Sequence, residues 1–196
     1  GAGNLNKIDT GTMIMTGSNG LTGSLTVDQG AVRSTGNQTL PAVVRVGNTA
    51  GLDGVLSVSA GTFRADNNAG QFTSALIAGA GAGAGGDIQL GGGTLVVRQQ
   101  LGLGAGVGGY GALTMNGGTL TCGSYIVVGF NNDRAIFNQS AGTTTISSNL
   151  MTIAAGGTGA IGVANISGGT FTSSFGTSSG IMVGERGIGT LNVSGN

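Results

Sequence analysis

The sequence contains no histidine, no tryptophan, one proline and one cysteine. Charge is almost as scarce, with seven basic and seven acidic residues among 196 and a net charge of zero. Each absence removes a class of function. Without histidine there is no imidazole to bind a metal or to activate a serine or cysteine nucleophile. Seven cations balanced by seven anions cannot displace the counterions of a phosphate backbone, so nucleic-acid binding is excluded. The single thiol, Cys122, forbids an internal disulfide. The longest weakly apolar run, Ala75 to Gly86, is mostly glycine and alanine and is too short to cross a bilayer, so no membrane insertion by this segment is expected. The chain opens Gly1-Ala2-Gly3-Asn4, with no charged leader before an apolar run.

What is present is glycine, at 44 of 196 positions against a usual ~7%. It follows no triplet period, and proline is nearly absent, which excludes a collagen helix. With 39% hydrophobic residues and no net charge, the composition is not that of a disordered chain.

The glycines punctuate a repeat. Its unit is Gly, then an apolar residue at every second position, then Gly/Ala-Gly-Thr and a further apolar residue. It reads Gly54-Val-Leu-Ser-Val-Ser-Ala-Gly-Thr-Phe63, Gly86-Asp-Ile-Gln-Leu-Gly-Gly-Gly-Thr-Leu95 and Gly111-Ala-Leu-Thr-Met-Asn-Gly-Gly-Thr-Leu120. Ala135 to Thr144 and Gly162 to Phe171 follow the scheme; Gly23 to Val32 is a weaker copy and Gly189 to Asn196 a truncated one. These anchors lie 24 to 32 residues apart. Further along each unit comes a third run, such as Val44-Arg-Val46-Gly47, Leu101-Gly-Leu103-Gly104 and Ile126-Val-Val128-Gly129. Alternation with period two predicts strands, and glycine between runs predicts tight turns.

Strands this short bury nothing alone, but stacked units bury a column. The first inward column is Leu25, Leu56, Ile88, Leu113, Phe137, Ala164 and Leu191; the next is Val27, Val58, Leu90, Met115, Gln139, Ile166 and Val193. The residues between them, Thr26, Ser57, Gln89, Thr114, Asn138, Asn165 and Asn192, are all polar and face outward. Gln139 is the one polar inward entry, and its buried amide must bond to backbone or to a nearby Asn or Ser. The parallel crossover favours one hand. The sequence therefore predicts an all-β right-handed parallel β-helix with three short strands per coil and about seven coils of 24 to 32 residues. It forms a single β-solenoid over residues 1–196, either whole or a segment of a longer repetitive chain. The core is expected to be a continuous aliphatic stack without a ligand cavity.

Gly189-Thr-Leu-Asn-Val-Ser-Gly, Ile166-Ser-Gly-Gly-Thr-Phe-Thr and Val183-Gly-Glu-Arg-Gly-Ile-Gly resemble the Gly/Thr/Ser/Asn-rich repeats of bacterial autotransporter passenger domains and related surface proteins. The resemblance covers Gly11 to Asn196. It implies export and an extracellular or cell-surface location on a bacterium.

Chemistry-bearing residues are dispersed. The acids are Asp9, Asp28, Asp53, Asp66, Asp87, Asp133 and Glu185, and no two stand within ten residues of each other. Asp28 is expected on an outward strand face, and Asp133-Arg134 and Glu185-Arg186 in equivalent solvated turns. Neither the paired carboxylates of a glycosidase nor a repeated calcium loop is present. Catalysis, cofactors and metals are not expected. Cys122 is expected as a buried small residue in a column with Ser34, Ala65, Val97, Ile146 and Ser173. Tyr110, Tyr125, Phe130, Phe72 and Phe175 are scattered and predict no stacking platform.

The sharpest exposed feature is threonine. Thr119 and Thr121, Thr143 and Thr145, and Thr170 and Thr172 flank inward residues in three consecutive units, so all six side chains face out. Such an array resembles the surface of ice-binding proteins, although threonine also simply suits exposed strands. The expected function is that of a non-catalytic structural protein, a rigid spacer or filament unit of an extracellular fibre. The alternative is an adhesin or ice-binding surface built on the threonines. The expected partners are further copies stacked head to tail or flanking repeats of the same chain. In that join Gly3–Asn6 supplies a second strand and Met13–Gly17 a third.

Overall fold

The computed structural model describes residues 3–68, 73–106, 108–174 and 180–195. Among them are twenty β-strands and no helix, and every strand pairing is parallel.

The strands form two sheets. The first has eight strands in chain order: Leu5–Lys7, Leu25–Val27, Val44–Val46, Ser74–Ala78, Gln100–Leu103, Ile126–Phe130, Met151–Ala155 and Ile181–Val183. The second follows a twelve-stranded arrangement. Its path runs from Thr12–Met15 through Gly30–Ser34, Asp53–Val58 and Gly85–Leu90 to Tyr110–Cys122. It then returns through Thr94–Val97 and Thr62–Ala65 to Gln38–Leu40. The sheet thus doubles back towards its own start and nearly closes, like a barrel. Arg134–Ile146, Ile161–Ile166, Thr170–Ser173 and Ile188–Val193 extend it from Tyr110–Cys122.

This corrects the expected right-handed parallel β-helix with three strands per coil. The runs expected as first and second strands are one strand in Tyr110–Cys122 and in Arg134–Ile146, each 13 residues long. Asn116-Gly117-Gly118 was expected to end a strand; instead the pairing shifts register between Met115 and Thr119 and resumes. A bulge bends a strand without breaking its sheet, so both runs belong to the same one.

The phase of the N-terminal units is also corrected. Leu25 and Val27 pair with Val44 and Val46 in the eight-stranded sheet, and not with Leu56 and Val58. The partner of Leu56 is Val32, that of Val58 is Ser34, and the anchor is Gly30, opposite Gly54. Leu40, not Ser34, heads the column of Cys122, because Leu40 pairs with Ala65. Leu5–Lys7, expected as a second strand, pairs with Leu25–Val27. Thr12–Met15, expected as a third, pairs with Ala31–Ser34. The head-to-tail join therefore has a different phase from the one expected. The chain opens on a strand of the eight-stranded sheet, and the last described strand, Ile188–Val193, lies in the other.

From Gly54 onward the expected inward register holds. Leu56, Ile88, Leu113, Phe137 and Ala164 are fully buried, as are Val58 and Met115, and they belong to one continuous core cluster. Phe137 meets Phe171 edge to face, with centroids 6.3 Å apart. Gln139 is buried, and its Nε2 donates to the carbonyls of Gly142, Gly168 and Thr170 at 3.4, 3.3 and 3.1 Å. Its Oε1 accepts from Thr144 Oγ1 at 2.8 Å. Thr144 itself points inward and is buried. Two polar residues on facing runs thus satisfy each other inside an apolar stack.

From Val44–Val46 onward the corner at the end of each eight-sheet strand takes a left-handed backbone. Gly47, Gly79, Gly104, Gly129 and Gly184 have φ of 68°, 69°, 57°, 80° and 67°. A Cβ on Gly47 or Gly79 would also meet the carbonyl of Gly85 or Tyr110. Ala154 takes the same corner with φ 59°, a strained conformation for an L-residue.

Candidate functional site

The threonine array lies in the twelve-stranded sheet. Thr119, Thr143 and Thr170 stand in register, as do Thr121, Thr145 and Thr172. The first column continues backwards through Thr94 and Thr62, giving five consecutive threonines. The second is broken by Val96 and Arg64, which pairs with Thr39. The six expected residues are half-buried to exposed. Beside them runs a ladder of asparagines: Asn165 Nδ2 donates to Asn138 Oδ1, and Asn192 Nδ2 to Asn165 Oδ1, both at 2.7 Å. The threonine and asparagine columns offer hydrogen bonding, and beside the asparagines runs a half-buried outward column of Val55, Asp87, Ala112, Ile136 and Val163.

The acids do not converge. Asp9 pairs with Lys7, and its carboxyl is held below the usual range by that ammonium. Asp66 bridges Arg64 and Arg98 at 2.9 and 3.5 Å. Among the described residues no three His, Cys, Asp or Glu side chains could hold a metal. Two expectations are corrected here. Asp28 is buried at a corner and not on an open strand face, with Oδ1 unpartnered. Asp133 is also fully buried and forms no ion pair with Arg134 among the described residues. Its Oδ1 accepts the N–H of Gly109 at 2.9 Å. Burial raises its pKa, opposed by the N–H groups of Gly109, Gly108 and Gly106. It is a bracket for the glycine loop of the preceding repeat. Glu185 is not its equivalent: one unit earlier, Ile153 pairs with Val183, so Glu185 stands two positions beyond Ile153, level with Ala155.

Cys122 is buried, its Sγ 3.2 and 3.1 Å from the carbonyls of Gln99 and Tyr125. Burial pushes the thiol up to about 11, so it is not a nucleophile near neutrality.

A concave feature that sequence reasoning missed is a groove of about 430 Å³ on the outer face of the eight-stranded sheet. Its floor is Val127 and Thr152, adjacent in register. One wall is Ser74, Gln100 and Tyr125; the other is Ala105, Phe130, Ala155 and Glu185. Tyr125 and Phe130 were expected as scattered aromatics, yet they flank one trough, because each lies just outside the ends of Ile126–Val128. Phe72 and Phe175 lie outside the described residues. The signal in the sequence was the position after each corner, where Ala105, Phe130, Ala155 and Glu185 succeed one another.

No family model, no curated protein and no solved structure matches this chain.

Proposed function

We propose that the chain is a non-catalytic structural element of a bacterial extracellular or cell-surface fibre, acting as a rigid spacer whose end faces are covered by further parallel strands. The observation that carries this reading is the state of the last strands. Val183, Ile188 and Val193 are exposed by 43%, 66% and 69% in strands that, among the described residues, pair on one side only. Leu191, Ile181 and Phe171 pack only partly against the core. At the other end Ile14 is exposed, and Leu5, Met13 and Leu21 line an open hollow. Unpaired strand edges with apolar side chains recruit more strands, and a contact that does not close on itself builds a filament. The covering strands come from a second copy or from flanking repeats of the same chain. Export and the likeness to autotransporter passenger repeats belong to the same proposal.

The test is sedimentation and electron microscopy over a range of concentrations. Linear assembly, abolished by Val183→Lys with Val193→Lys, is the expected result. A chain that stays monomeric at every concentration, with equal solubility for the double variant, would overturn the reading for stacked copies.

A second reading rests on the five-threonine column. An adhesin or ice-binding face built on Thr119, Thr121, Thr143, Thr145, Thr170 and Thr172 would give thermal hysteresis or ice shaping that a Thr143→Lys variant loses. Neither effect in the parent chain would remove the ice-binding form of this reading.

A further inference from the structure

The groove on the eight-stranded sheet is independent of the threonines and reaches the last unit only through Glu185, and nothing in a spacer calls for it. Its floor carries an anomaly. Thr152 is 7% exposed, and its Oγ1 is buried without a hydrogen-bond partner. A buried hydroxyl left unpaired is destabilising and calls for an explanation in a native fold. The hydroxyl belongs to a side chain that lines the trough. Around it stand two aromatic rings, Tyr125 and Phe130, one carboxylate, Glu185, and the amide of Gln100, which donates to Ser74 Oγ at 3.2 Å. Phe130 is partly exposed although it is a large apolar side chain. Among the described residues no cationic side chain lines the groove.

Each of these groups selects against some ligands. The carboxylate, with no cation among the described lining side chains, disfavours phosphate, sulfate and uronate. The aromatic rings, with Val127 on the floor and Ala155 in the wall, favour a body with an apolar face. The hydroxyl, amide and carboxylate favour a ligand rich in neutral donors and acceptors along its edge. A pyranose ring has both: a face of C–H groups for Phe130 and Tyr125, and equatorial hydroxyls for Glu185, Gln100 and Thr152. The volume lies within the usual ~300–1,000 Å³ of small-ligand sites.

We propose that this groove binds a neutral saccharide, one or two hexose units of a longer glycan, with Phe130 and Tyr125 stacking on the ring, Glu185 bonding to its hydroxyls, and the covered Thr152 hydroxyl turning about χ1 to meet one of them. The groove is open at the surface, so the rest of the glycan continues into solvent.

The experiment is saturation-transfer NMR followed by calorimetry, with cellotetraose, maltotetraose, laminaritetraose and chitotetraose as probes and tetralysine as the cationic control. The expected result is saturable binding of at least one tetrasaccharide. Phe130→Ala and Glu185→Gln should each weaken it by about tenfold or more. Thr152→Val keeps the volume and removes only the unpaired hydroxyl. It should fold at least as well as the parent and bind severalfold more weakly. Thr143→Ala, on the other sheet, should leave binding unchanged. The proposal is overturned if none of the four sugars binds, if binding is indifferent to Glu185→Gln and Thr152→Val in folded protein, or if tetralysine binds in preference to every sugar. None of these results bears on whether the ends assemble.

Discussion

The two sheets share one core but treat their outer faces differently. In the twelve-stranded sheet burial alternates: in Gly54–Val58, Thr94–Val97 and Gly111–Met115 every second residue is buried and those between are half-buried. In three strands of the eight-stranded sheet the alternation vanishes. Every residue of Leu25–Val27 and Met151–Ala155 is buried, and so are the first four of Ile126–Phe130. Strands covered on both faces read as near-continuous apolar runs, while half-covered strands alternate. Ile126-Val-Val128 and Met151-Thr-Ile-Ala-Ala155 are of the first kind, and Gly111-Ala-Leu-Thr-Met115 is of the second. One outer face therefore carries polar columns of threonine and asparagine beside a mostly apolar one, Val55 to Val163, and the other is walled by its own corners into a trough. A wall suits a spacer, and a trough suits a ligand.

The comparison is most severely tested by charge. Leu113→Asp places a carboxylate in the shared core and should abolish folding, since an unpaired buried charge costs several kcal/mol; circular dichroism and thermal melting read this directly. If the variant melts like the parent, the inward columns are wrong. The sheets should then part company. Val127→Asp and Thr114→Asp both alter outward residues, yet Val127 is 6% exposed and Thr114 half-buried. The first should cost roughly 2 kcal/mol or more, and the second within about 0.5 kcal/mol. Equal costs in denaturant titration would erase the distinction between the faces.

Within the twelve-stranded sheet, Gln139→Ala leaves the Thr144 hydroxyl and three carbonyls without their amide and should cost about 1–3 kcal/mol. At the corners, Asp133 sets a pH dependence. Its folded-state pKa is raised above the ordinary 3.8, so the folded state binds the proton more tightly. Its contribution is most favourable below the unfolded value and is lost as pH rises through the raised one. Asp133→Asn keeps the acceptor for Gly109 N–H and should remove that slope from the melting temperature between acid and neutral pH. The smallest effect is at Ala154, where glycine would relieve a left-handed backbone. Ala154→Gly should be neutral to stabilising by about 0.5 kcal/mol, the reverse of the usual sign for alanine to glycine.

The register of the central units was legible because glycine and threonine mark equivalent points and the inward residues are apolar apart from Gln139 and Thr144, which bond to each other. Two things misled at the N-terminus. Gly23-Ser-Leu-Thr-Val27 imitates a first run perfectly well, whereas the true one, Gly30-Ala-Val-Arg-Ser34, carries a serine in an inward slot. That serine is tolerated because its hydroxyl reaches the Gly36 carbonyl at 3.4 Å. The merging of two runs into one strand was hidden because Asn116-Gly117-Gly118 reads locally as a turn, and only pairing with the next strand holds it extended. The groove was hidden for a different reason. Glu185 and Phe130 lie far apart in the sequence, and only the stacking of successive corners brings them to one wall.

The contrast between the outer faces can be measured in a single assay. In a Cys122→Val background, where the new side chain matches its register neighbours Val97 and Ile146, a cysteine is placed at Val127 or at Thr114. Modification by a soluble thiol reagent is followed under native conditions. The account predicts that Thr114→Cys reacts near the rate of a free thiol and Val127→Cys about a hundredfold more slowly, its access limited by the walls of the trough. Equal rates at the two positions would contradict it.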